Sequence, residues 1–391
     1  MKSILLVVHK MNLGGTEKAL LSLLYCLREE KVLITLLLLE RGGVLESHIP
    51  DFVKVEYIES FDNMKPVIED PPHHTLMKFI KSYQLLMAFR FLFTYSKIKL
   101  SGNWYHNYKS ILSRTPNVGT YDIAIAFAGP SDFITYFIVN KVTAKKKIQW
   151  IHFDIEKIIT NYNFGRKFYQ YFDKIFCVSQ SAKDIFLRNF PEFEGKTEVF
   201  HNIVSGPEIK KLAEEGESYP DEYDGIRILT VGRFTKEKGQ HLIPEVVTKL
   251  KSELFQFRWY FVGDGKEKED VQNRSIHLDL SGDIIFLGEK ENPYPFMKDC
   301  DIYVQPSLHE GFGITAEEAK VFNKPIVLTN FASAKDLIEN QKTGLIVDIS
   351  SEGIYEAVKS LMLNESLRNK FSENLSKRKL LSDYDVSKIL D

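Results

Sequence analysis

The chain has 391 residues, enough for two domains of ordinary size that each have a hydrophobic core. Its apolar fraction of 44% and charged fraction of 27% are typical of a globular protein, and a formal net charge of -2 gives no overall attraction to nucleic acid. The cysteines, Cys26, Cys177 and Cys300, are widely spaced and odd in number, so they predict neither a disulfide framework nor a zinc site. This cysteine usage favours a reducing cytoplasm.

The amino-terminal segment predicts the strand, turn and helix that open a doubly wound fold. The apolar run in residues 1–9 is too short for a signal peptide and leads directly into a glycine turn, so we expect a buried parallel strand. Gly14 and Gly15 lie in that turn, and leucines at helical spacing follow over 18–28. In such folds ligands bind at the carboxyl ends of the strands. No stretch has 18 consecutive apolar residues, so the sequence predicts no membrane-spanning helix.

The segment 71–121 differs in composition from the rest of the chain. It contains no aspartate or glutamate, and basic side chains alternate with aromatic ones. This pattern predicts contact with an anionic membrane surface, where each basic residue adds about 1 kcal/mol. Two ordinary helices with buried aromatics and solvated lysines would produce the same pattern. Nucleic acid would also suit the charge, but no nucleic-acid-binding motif accompanies it, and we expect no nucleic-acid partner. The basic residues are Lys78, Lys81, Arg90, Lys97, Lys99, Lys109 and Arg114.

Further strands are predicted over 121–127 and 147–152, with a glycine-proline break after the first. His152 stands at the carboxyl end of the second strand, which is the ligand-binding edge of this kind of sheet. The stretch 205–225 is polar and strongly charged, contains two prolines and has no long apolar run. We therefore interpret it as the connection between two domains.

A second domain is predicted to begin at residue 226 with a strand that ends at Gly232. Arg233 and Lys238 follow at the carboxyl end of that strand, next to a helix start. The two cations can act together on one anion, the guanidinium as a planar fork and the ammonium as a point charge. Another strand and glycine turn are predicted over 284–288.

The stretch 307–325, SLHEGFGITAEEAKVFNKP, predicts a glycine turn followed by a helix from Thr315 to Phe322. Thr315 and Glu318 have the spacing of a capping box at the helix start. The glycines allow backbone amides to approach a ligand, and a helix start favours negative charge. Glu310 and Glu318 place two carboxylates beside this anion site, which suggests that they bind uncharged sugar hydroxyls.

The spacing E-G-F-G-x-x-x-x-E, followed by N-K-P-I-V-L-T, resembles the retaining GT-B glycosyltransferases of family 4 type, also called glycosyl transferases group 1. The pattern G-R-x-x-x-x-K-G over 232–239 is similar to a second motif of that family. The resemblance extends over essentially the whole chain but is specific only in the second domain. It implies an α/β GT-B fold with two Rossmann-like doubly wound domains across a cleft. These would be 1–204 and 226–380, joined by 205–225, with a carboxyl-terminal helix over 381–391 that crosses back to the first domain.

The resemblance also implies roles for individual residues. Arg233 and Lys238 would bind the donor diphosphate, and Glu318 would bind the ribose hydroxyls. Glu310 would lie against the donor sugar and stabilise positive charge at its anomeric carbon. His152 would contact the donor sugar, which makes Glu310, His152, Arg233 and Lys238 the catalytic residues. Backbone groups would complete the donor site, at the diphosphate (Gly14, Gly15), the nucleobase (Gly288, Glu289, Lys290) and the sugar and diphosphate (Gly311, Phe312, Gly313, Ile314).

Together these features predict a retaining, metal-independent glycosyltransferase without a cofactor. It would move a hexose-type sugar from a nucleotide diphosphate, UDP by family frequency, to a glycan or lipid-linked glycan in envelope, capsule or exopolysaccharide synthesis. The predicted location is the cytoplasm, peripheral at the inner face of the plasma membrane if 71–121 binds lipid. The alternative is a catalytically silent GT-B subunit that binds a glycan or a partner transferase. Loss of the motif residues would favour that alternative, and all of them are present.

Overall fold

The computed structural model describes residues 1–59, 61–101, 104–158, 161–377 and 386–391. They fall into two compact units. One comprises Met1–Val178, Ala182–Phe200 and Ser387–Asp391, and the other comprises Ser179–Ser181 and His201–Val386.

The described part of the first unit contains a seven-stranded parallel sheet in the order β3-β2-β1-β4-β5-β6-β7. Residues 4–8 of β1 are almost fully buried, as expected for a parallel strand that is covered on both faces. The predicted parallel, doubly wound arrangement is therefore confirmed. The strands are β1 (Lys2–Val8), β2 (Val32–Leu38), β3 (Lys54–Tyr57), β4 (Thr120–Ala126), β5 (Thr143–Ile151), β6 (Lys174–Cys177) and β7 (Thr197–Val199).

Helices connect these strands and cover the sheet. Phe133, Phe137 and Phe164 are buried in a core that they share with β1 and β4. Within the described residues no helix combines the length and the hydropathy needed to cross a membrane. The helices are α1 (Gly15–Leu27), α2 (Phe61–Glu69), α3 (Pro72–Lys81), α4 (Leu85–Ser101), α5 (Tyr105–Ile111), α6 (Asp132–Lys141), α7 (Ile155–Ile158), α8 (Tyr162–Tyr169) and α9 (Gln180–Asn189), with 3-10 turns at Val44–His48, Leu112–Arg114 and Pro191–Lys196.

The second unit has, in its described residues, a six-stranded parallel sheet in the order β10-β9-β8-β11-β12-β13. Its core includes the fully buried Trp259 and Val304. The strands are β8 (Ile226–Val231), β9 (Phe257–Val262), β10 (Ile284–Phe286), β11 (Ile302–Gln305), β12 (Ile326–Thr329) and β13 (Gly344–Val347). The helices are α10 (Gly206–Glu215), α11 (Ile243–Ser252), α12 (Lys268–His277), α13 (Tyr294–Asp299), α14 (Ile314–Lys320), α15 (Ala334–Leu337), α16 (Ser351–Leu363) and α17 (Glu365–Ser376), with 3-10 turns at Lys236–Lys238 and Gln240–Leu242.

Two polar segments, the stretch 205–225 and the end of the chain, each contain a helix. The stretch 205–225 includes the ten-residue helix α10, because Ile209 and Ala213 lie four residues apart and are buried on one face. Of the predicted terminal helix 381–391, residues 381–385 lie outside the described residues. The end of the chain forms α18 (Ser387–Leu390), where Lys146 Nζ donates to the carbonyl of Ile389 at 3.1 Å within the first unit.

Candidate functional site

The turn after β8 is built around a glycine that no other residue could replace without strain. Gly239 has a φ of +70°, and a Cβ atom there would lie 1.9 Å from the carbonyl oxygen of Pro306. Phe234 is fully buried, and its amide donates to the carbonyl of Asp264 at 2.8 Å. The turn is thus fixed against the end of β11, with Arg233 and Lys238 on either side of the buried Phe234.

The two sequence motifs of the second unit meet through their backbones. The amides of Leu308 and His309 both donate to the carbonyl of Glu237, at 2.7 and 3.2 Å. The motif that contains Lys238 and the motif that contains Glu310 are about 70 residues apart in sequence. The parallel pairing of β8 with β11 places both strand ends at one edge of the sheet.

Lys238 and Glu310 form an ion pair at this edge. Lys238 Nζ lies 2.7 Å from Glu310 Oε1 and 2.8 Å from Oε2. Oε1 also accepts hydrogen bonds from Gln305 Nε2 and Ser307 Oγ, each at 2.7 Å. The Glu310 side chain is only 8% exposed, whereas that of Lys238 is 28% exposed. The carboxylate is therefore held in one position, and the ammonium remains accessible from one side.

Arg233 presents an exposed side chain from a backbone that is held in place. Gln240 is 2% exposed, and its Nε2 donates to the carbonyls of Arg233 and Gly232 at 2.9 and 3.3 Å. The sequence analysis did not select Gln240, Gln305 or Ser307. Their proximity to the motifs is the one available signal, but polar residues beside a glycine turn are too common to be specific.

Glu318 points into the second unit. It is 2% exposed, and its Oε1 accepts a hydrogen bond from the hydroxyl of Tyr294 at 2.9 Å. Burial, together with the charge of Glu318, holds the pKa of Tyr294 well above its usual range, so the phenol stays a donor. Tyr294 comes from α13 and was not selected from sequence, where it is one of 18 tyrosines.

The predicted capping box of Thr315 and Glu318 is wrong. The helix α14 begins at Ile314, and Gly313, with a φ of +96°, occupies the N-cap position without a side-chain cap. Thr315 instead lies in the first turn and donates to Gln305 Oε1 at 3.2 Å. The left-handed glycine starts the helix one residue earlier than the pattern indicates.

In the glycine turn over residues 311–314, main-chain groups are more accessible to a ligand than side chains are. Phe312 and Ile314 are buried, and the carbonyl of Phe312 accepts from Ser333 Oγ at 3.1 Å. Gly313 is enclosed, because a Cβ atom there would lie 2.8 Å from a methyl carbon of Leu337. Gly311 is half-buried. Any contact of these residues with a ligand is therefore through main-chain groups.

The turn after β10 is open. Gly288 has a φ of +76°, and a Cβ atom added there would meet no other described atom within 4 Å. The carbonyl of Gly288 accepts from the amide of Gly263 at 2.8 Å. Glu289 and Lys290 follow and are exposed. Their backbone is accessible to a ligand, and their assignment to the nucleobase stays a prediction.

In the first unit, His152 directly follows β5 and is 4% exposed. Its amide donates to the carbonyl of Gly129 at 2.9 Å, and its ring lies 4.6 Å from that of Phe127 between centroids. Burial lowers the pKa of His152 to about 3, so the imidazole is neutral at physiological pH. A neutral ring can donate or accept a hydrogen bond, which suits contact with a sugar hydroxyl.

Gly14 and Gly15 form the start of α1. Gly14 is the N-cap residue, and Gly15 is the first helical residue and is exposed. The carboxylate of Glu17 folds back over Gly14, since a Cβ atom at Gly14 would lie 2.4 Å from Glu17 Oε2. This carboxylate takes the position at the helix start that an anion would favour.

A candidate cation site lies elsewhere in the first unit. In the described part of the chain, His9, Glu40 and Glu69 form one group compact enough to hold a metal ion. Lys65 Nζ lies 2.7 Å from Glu40 Oε1, however, and its positive charge opposes a bound cation. Neither a metal nor a cofactor is assigned to this group.

Comparison with known proteins finds a family model, curated relatives and solved structures that resemble this chain. Residues 213–378 match the family model of the glycosyl transferases group 1. The chain is 29% identical over 151 residues to the lipopolysaccharide core biosynthesis glycosyltransferase LpsE of Rhizobium meliloti, covering 38% of this chain and 43% of LpsE. It is 26% identical over 208 residues to a Campylobacter jejuni enzyme, covering 53% of this chain and 55% of the enzyme. That enzyme is the N-acetylgalactosamine-N,N'-diacetylbacillosaminyl-diphospho-undecaprenol 4-alpha-N-acetylgalactosaminyltransferase.

The chain thus spans about half the length of these curated relatives. Among solved structures, the Anabaena protein HepE in complex with UDP and glucose superposes with a TM-score of 0.67 at 16% identity. That match covers 100% of this chain and 97% of HepE. The chain therefore has the GT-B fold, and its residues 213–378 match the model of the glycosyl transferases group 1 family.

Proposed function

We propose that the protein is a retaining glycosyltransferase of family 4 type that transfers a hexose-type sugar from a UDP-sugar to a glycan or lipid-linked glycan. The acceptor belongs to cell-envelope, capsule or exopolysaccharide synthesis. The observation that carries this proposal is the Lys238–Glu310 pair, with the exposed guanidinium of Arg233 in the same turn. It combines cations for a diphosphate with a fixed carboxylate for a sugar.

The two cations neutralise the leaving diphosphate. An ammonium has three donors, and the two close contacts of Lys238 with Glu310 leave one donor for a phosphate oxygen. Arg233 adds a planar fork that suits two phosphate oxygens. Charge that develops on the diphosphate during bond cleavage is thereby stabilised without a metal ion.

Glu318 is suited to the ribose of the donor. A carboxylate only accepts hydrogen bonds, so its natural partners are hydroxyl donors such as those of a ribose. Tyr294 donates to Oε1 and fixes the rotamer of this buried side chain. Because the Glu318 carboxylate is held in one position as a hydrogen-bond acceptor, it favours a nucleotide that has both ribose hydroxyls.

For the retention that we propose, the surroundings of Glu310 favour a route without a covalent intermediate. The Glu310 carboxylate accepts hydrogen bonds from Lys238, Gln305 and Ser307. These hydrogen bonds engage its lone pairs and lower its nucleophilicity. A covalent glycosyl intermediate on Glu310 is therefore disfavoured. The acceptor hydroxyl attacks from the face that the diphosphate leaves, and the leaving phosphate takes the hydroxyl proton. Glu310 stabilises the positive charge that develops at the anomeric carbon.

The named relatives support the substrate classes. LpsE builds a lipopolysaccharide core, and the Campylobacter enzyme is named for a sugar acceptor on diphospho-undecaprenol. HepE was crystallised with UDP and glucose. A UDP-sugar donor and a lipid-linked acceptor are accordingly our proposal for this chain.

The proposed location is the cytoplasmic face of an anionic membrane, with α3 and α4 on the lipid surface. Along α4, Leu86, Phe89 and Phe93 are 68%, 70% and 57% exposed. Exposed apolar side chains on one helix face, within the segment 71–121 that lacks any acidic residue, suit an anionic lipid surface.

Sedimentation with phosphatidylglycerol vesicles, beside phosphatidylcholine vesicles, measures this membrane contact. Replacing Phe89 and Phe93 with serine should abolish binding to the anionic vesicles. The matched control is Leu363→Ser, at a residue that is 66% exposed in the second unit. Equal binding by both variants would contradict the proposed surface.

The transferase is tested by binding and slow hydrolysis of UDP-, GDP- and ADP-sugars in EDTA. Arg233→Ala and Glu318→Ala should each abolish the release of nucleotide. Arg274→Ala and Glu291→Ala are matched controls, because both residues are exposed in the same unit. Release of one nucleotide that both site variants lose would establish a metal-independent transferase and identify its donor. Absence of binding at millimolar concentration would refute the transferase and favour a silent subunit.

A further inference from the structure

The first unit contains a cavity that the proposed transfer reaction does not use. Its volume is about 660 Å³, within the range of roughly 300–1,000 Å³ that is usual for small-molecule sites. It lies among α2, α3, α4, α5 and the ends of β2 and β3, and apolar side chains form much of its wall. Val67, Phe79 and Phe91 belong to a small hydrophobic cluster at these helices, Ile111 packs against it, and all four line the cavity.

Among the described residues, one polar side chain of the cavity wall has no hydrogen-bond partner. Asn107 on α5 is 1% exposed, and among the described residues neither its amide nitrogen nor its amide oxygen has a hydrogen-bond partner. A buried polar group without a partner costs about 1–3 kcal/mol. Asn107 therefore presents one donor function and one acceptor function to whatever occupies the cavity.

The cavity is accessible from the side of α4. Met87 and Arg90 line it and are themselves exposed. Leu86 and Phe89, on the same helix, belong to the exposed apolar surface described above. An apolar molecule at that surface has a short route into the cavity.

We propose that this cavity binds a single-chain lipid whose head group both donates and accepts hydrogen bonds. The chain would fill the apolar space between α2 and α4, where an unfilled volume forfeits dispersion contacts. The head group would satisfy both amide atoms of Asn107. A purely apolar occupant would leave that amide without partners, and a water-filled cavity would leave the apolar wall in contact with water.

The probe is 1-monolauroylglycerol, added as monomer to the full-length protein without vesicles and followed by titration calorimetry. Thr94 lines the cavity from α4, and Thr94→Phe fills it. The matched control is Ser96→Phe, since Ser96 lies on the exposed side of the same helix and likewise donates to a carbonyl of its preceding turn. Ser110→Phe obstructs the same space from α5 and replaces Thr94→Phe if that variant does not fold.

We expect wild type and Ser96→Phe to bind equally, and Thr94→Phe or Ser110→Phe to bind about tenfold more weakly or worse. Asn107→Leu should raise the melting temperature of the free protein and weaken binding by roughly three- to tenfold, the effect of one or two neutral hydrogen bonds. Binding that persists in the filled variants would place the lipid on the surface of α4 and overturn the proposal. No binding by wild type, or full affinity in Asn107→Leu, would overturn it as well. None of these measurements depends on glycosyl transfer.

Discussion

Glu310→Gln separates two effects of the Lys238–Glu310 pair, its contribution to folding stability and its contribution to turnover. The substitution keeps the shape of the side chain but removes its charge and converts one acceptor oxygen to a donor. Oε1 accepts from Lys238, Gln305 and Ser307, whereas Oε2 accepts, among the described residues, from Lys238 alone. The amide should therefore orient its oxygen at the Oε1 position. The amide group at the Oε2 position then no longer accepts a hydrogen bond from Lys238. The remaining contact, between the amide oxygen and the Lys238 ammonium, is weaker because the side chain has lost its charge.

The magnitude follows from these contacts. Hydrogen bonds to charged groups contribute about 1.5–3 kcal/mol and neutral ones about 0.5–1.5 kcal/mol. Because Lys238 is 28% exposed, water compensates part of the loss. We expect the free energy of unfolding to fall by about 1–3 kcal/mol, and each kcal/mol lowers the melting temperature by about 2–4 °C in a cooperative unit of about 150–250 residues.

The substitution should lower turnover without weakening the binding of UDP. Glu310→Gln removes a negative charge beside the proposed diphosphate site and releases the donors of Lys238. UDP should then bind as tightly as before or more tightly, while hydrolysis of the UDP-sugar falls by at least about a hundredfold, as when a charge-stabilising group is lost. Thermal unfolding, calorimetric titration with UDP and nucleotide release in EDTA measure the three quantities.

Exposed Glu291 provides the control, because Glu291→Gln makes the same chemical change at the surface of the same unit. It should leave stability, UDP binding and turnover within experimental error. If Glu310→Gln weakened UDP binding, Glu310 would support the nucleotide instead of competing for Lys238. If it left the melting temperature unchanged, the observed contacts would contribute nothing to stability, and the reasoning would be refuted.

Three further changes test other parts of the structure. Tyr294→Phe removes a donor from the buried Glu318, and urea unfolding should show a loss of about 1–3 kcal/mol. Gly239→Ala adds a Cβ atom 1.9 Å from the carbonyl oxygen of Pro306 at a φ of +70°, so it should cost more than about 1 kcal/mol in urea unfolding and weaken UDP binding. Burial raises the pKa of Asp132 from 3.8 to about 6, so between these values the folded protein binds more protons than the unfolded chain. Stability should fall by up to about 3 kcal/mol as pH rises through this window, and Asp132→Asn should remove that dependence in unfolding curves measured from about pH 4 to pH 7.

Each of these changes has a matched control. Tyr171→Phe alters a tyrosine that is 54% exposed and should be neutral. Gly282→Ala adds a Cβ atom with no other described atom within 4 Å and should also be neutral. Asp51→Asn, at an exposed residue, should leave the pH dependence unchanged. Equal effects in a variant and its control would contradict the structural reason given for that variant.

The sequence predicted the features that depend on local periodicity and on strand ends. The amino-terminal apolar run and glycine turn indicated a doubly wound fold, and the resemblance to the glycosyltransferase family implied two such domains. The structure has two parallel sheets. Arg233, Lys238 and Glu310 were selected together through the resemblance to the family motifs, and each of them follows a strand of a parallel sheet. The carboxyl ends of parallel strands lie at one edge, so residues about 70 apart in sequence come into contact there.

Other features depend on packing between residues whose separation in sequence carries no signal. Glu318 is buried and held by Tyr294 from another helix, and the left-handed Gly313 starts the helix that carries it. The partners of Glu310 at Gln305 and Ser307 depend on how a turn folds back on its own strand. Local spacing and the family motifs that it carries therefore predicted the fold class and the charged residues of the site. Tertiary structure alone decided which buried polar groups orient them, because such contacts form only when distant segments pack together.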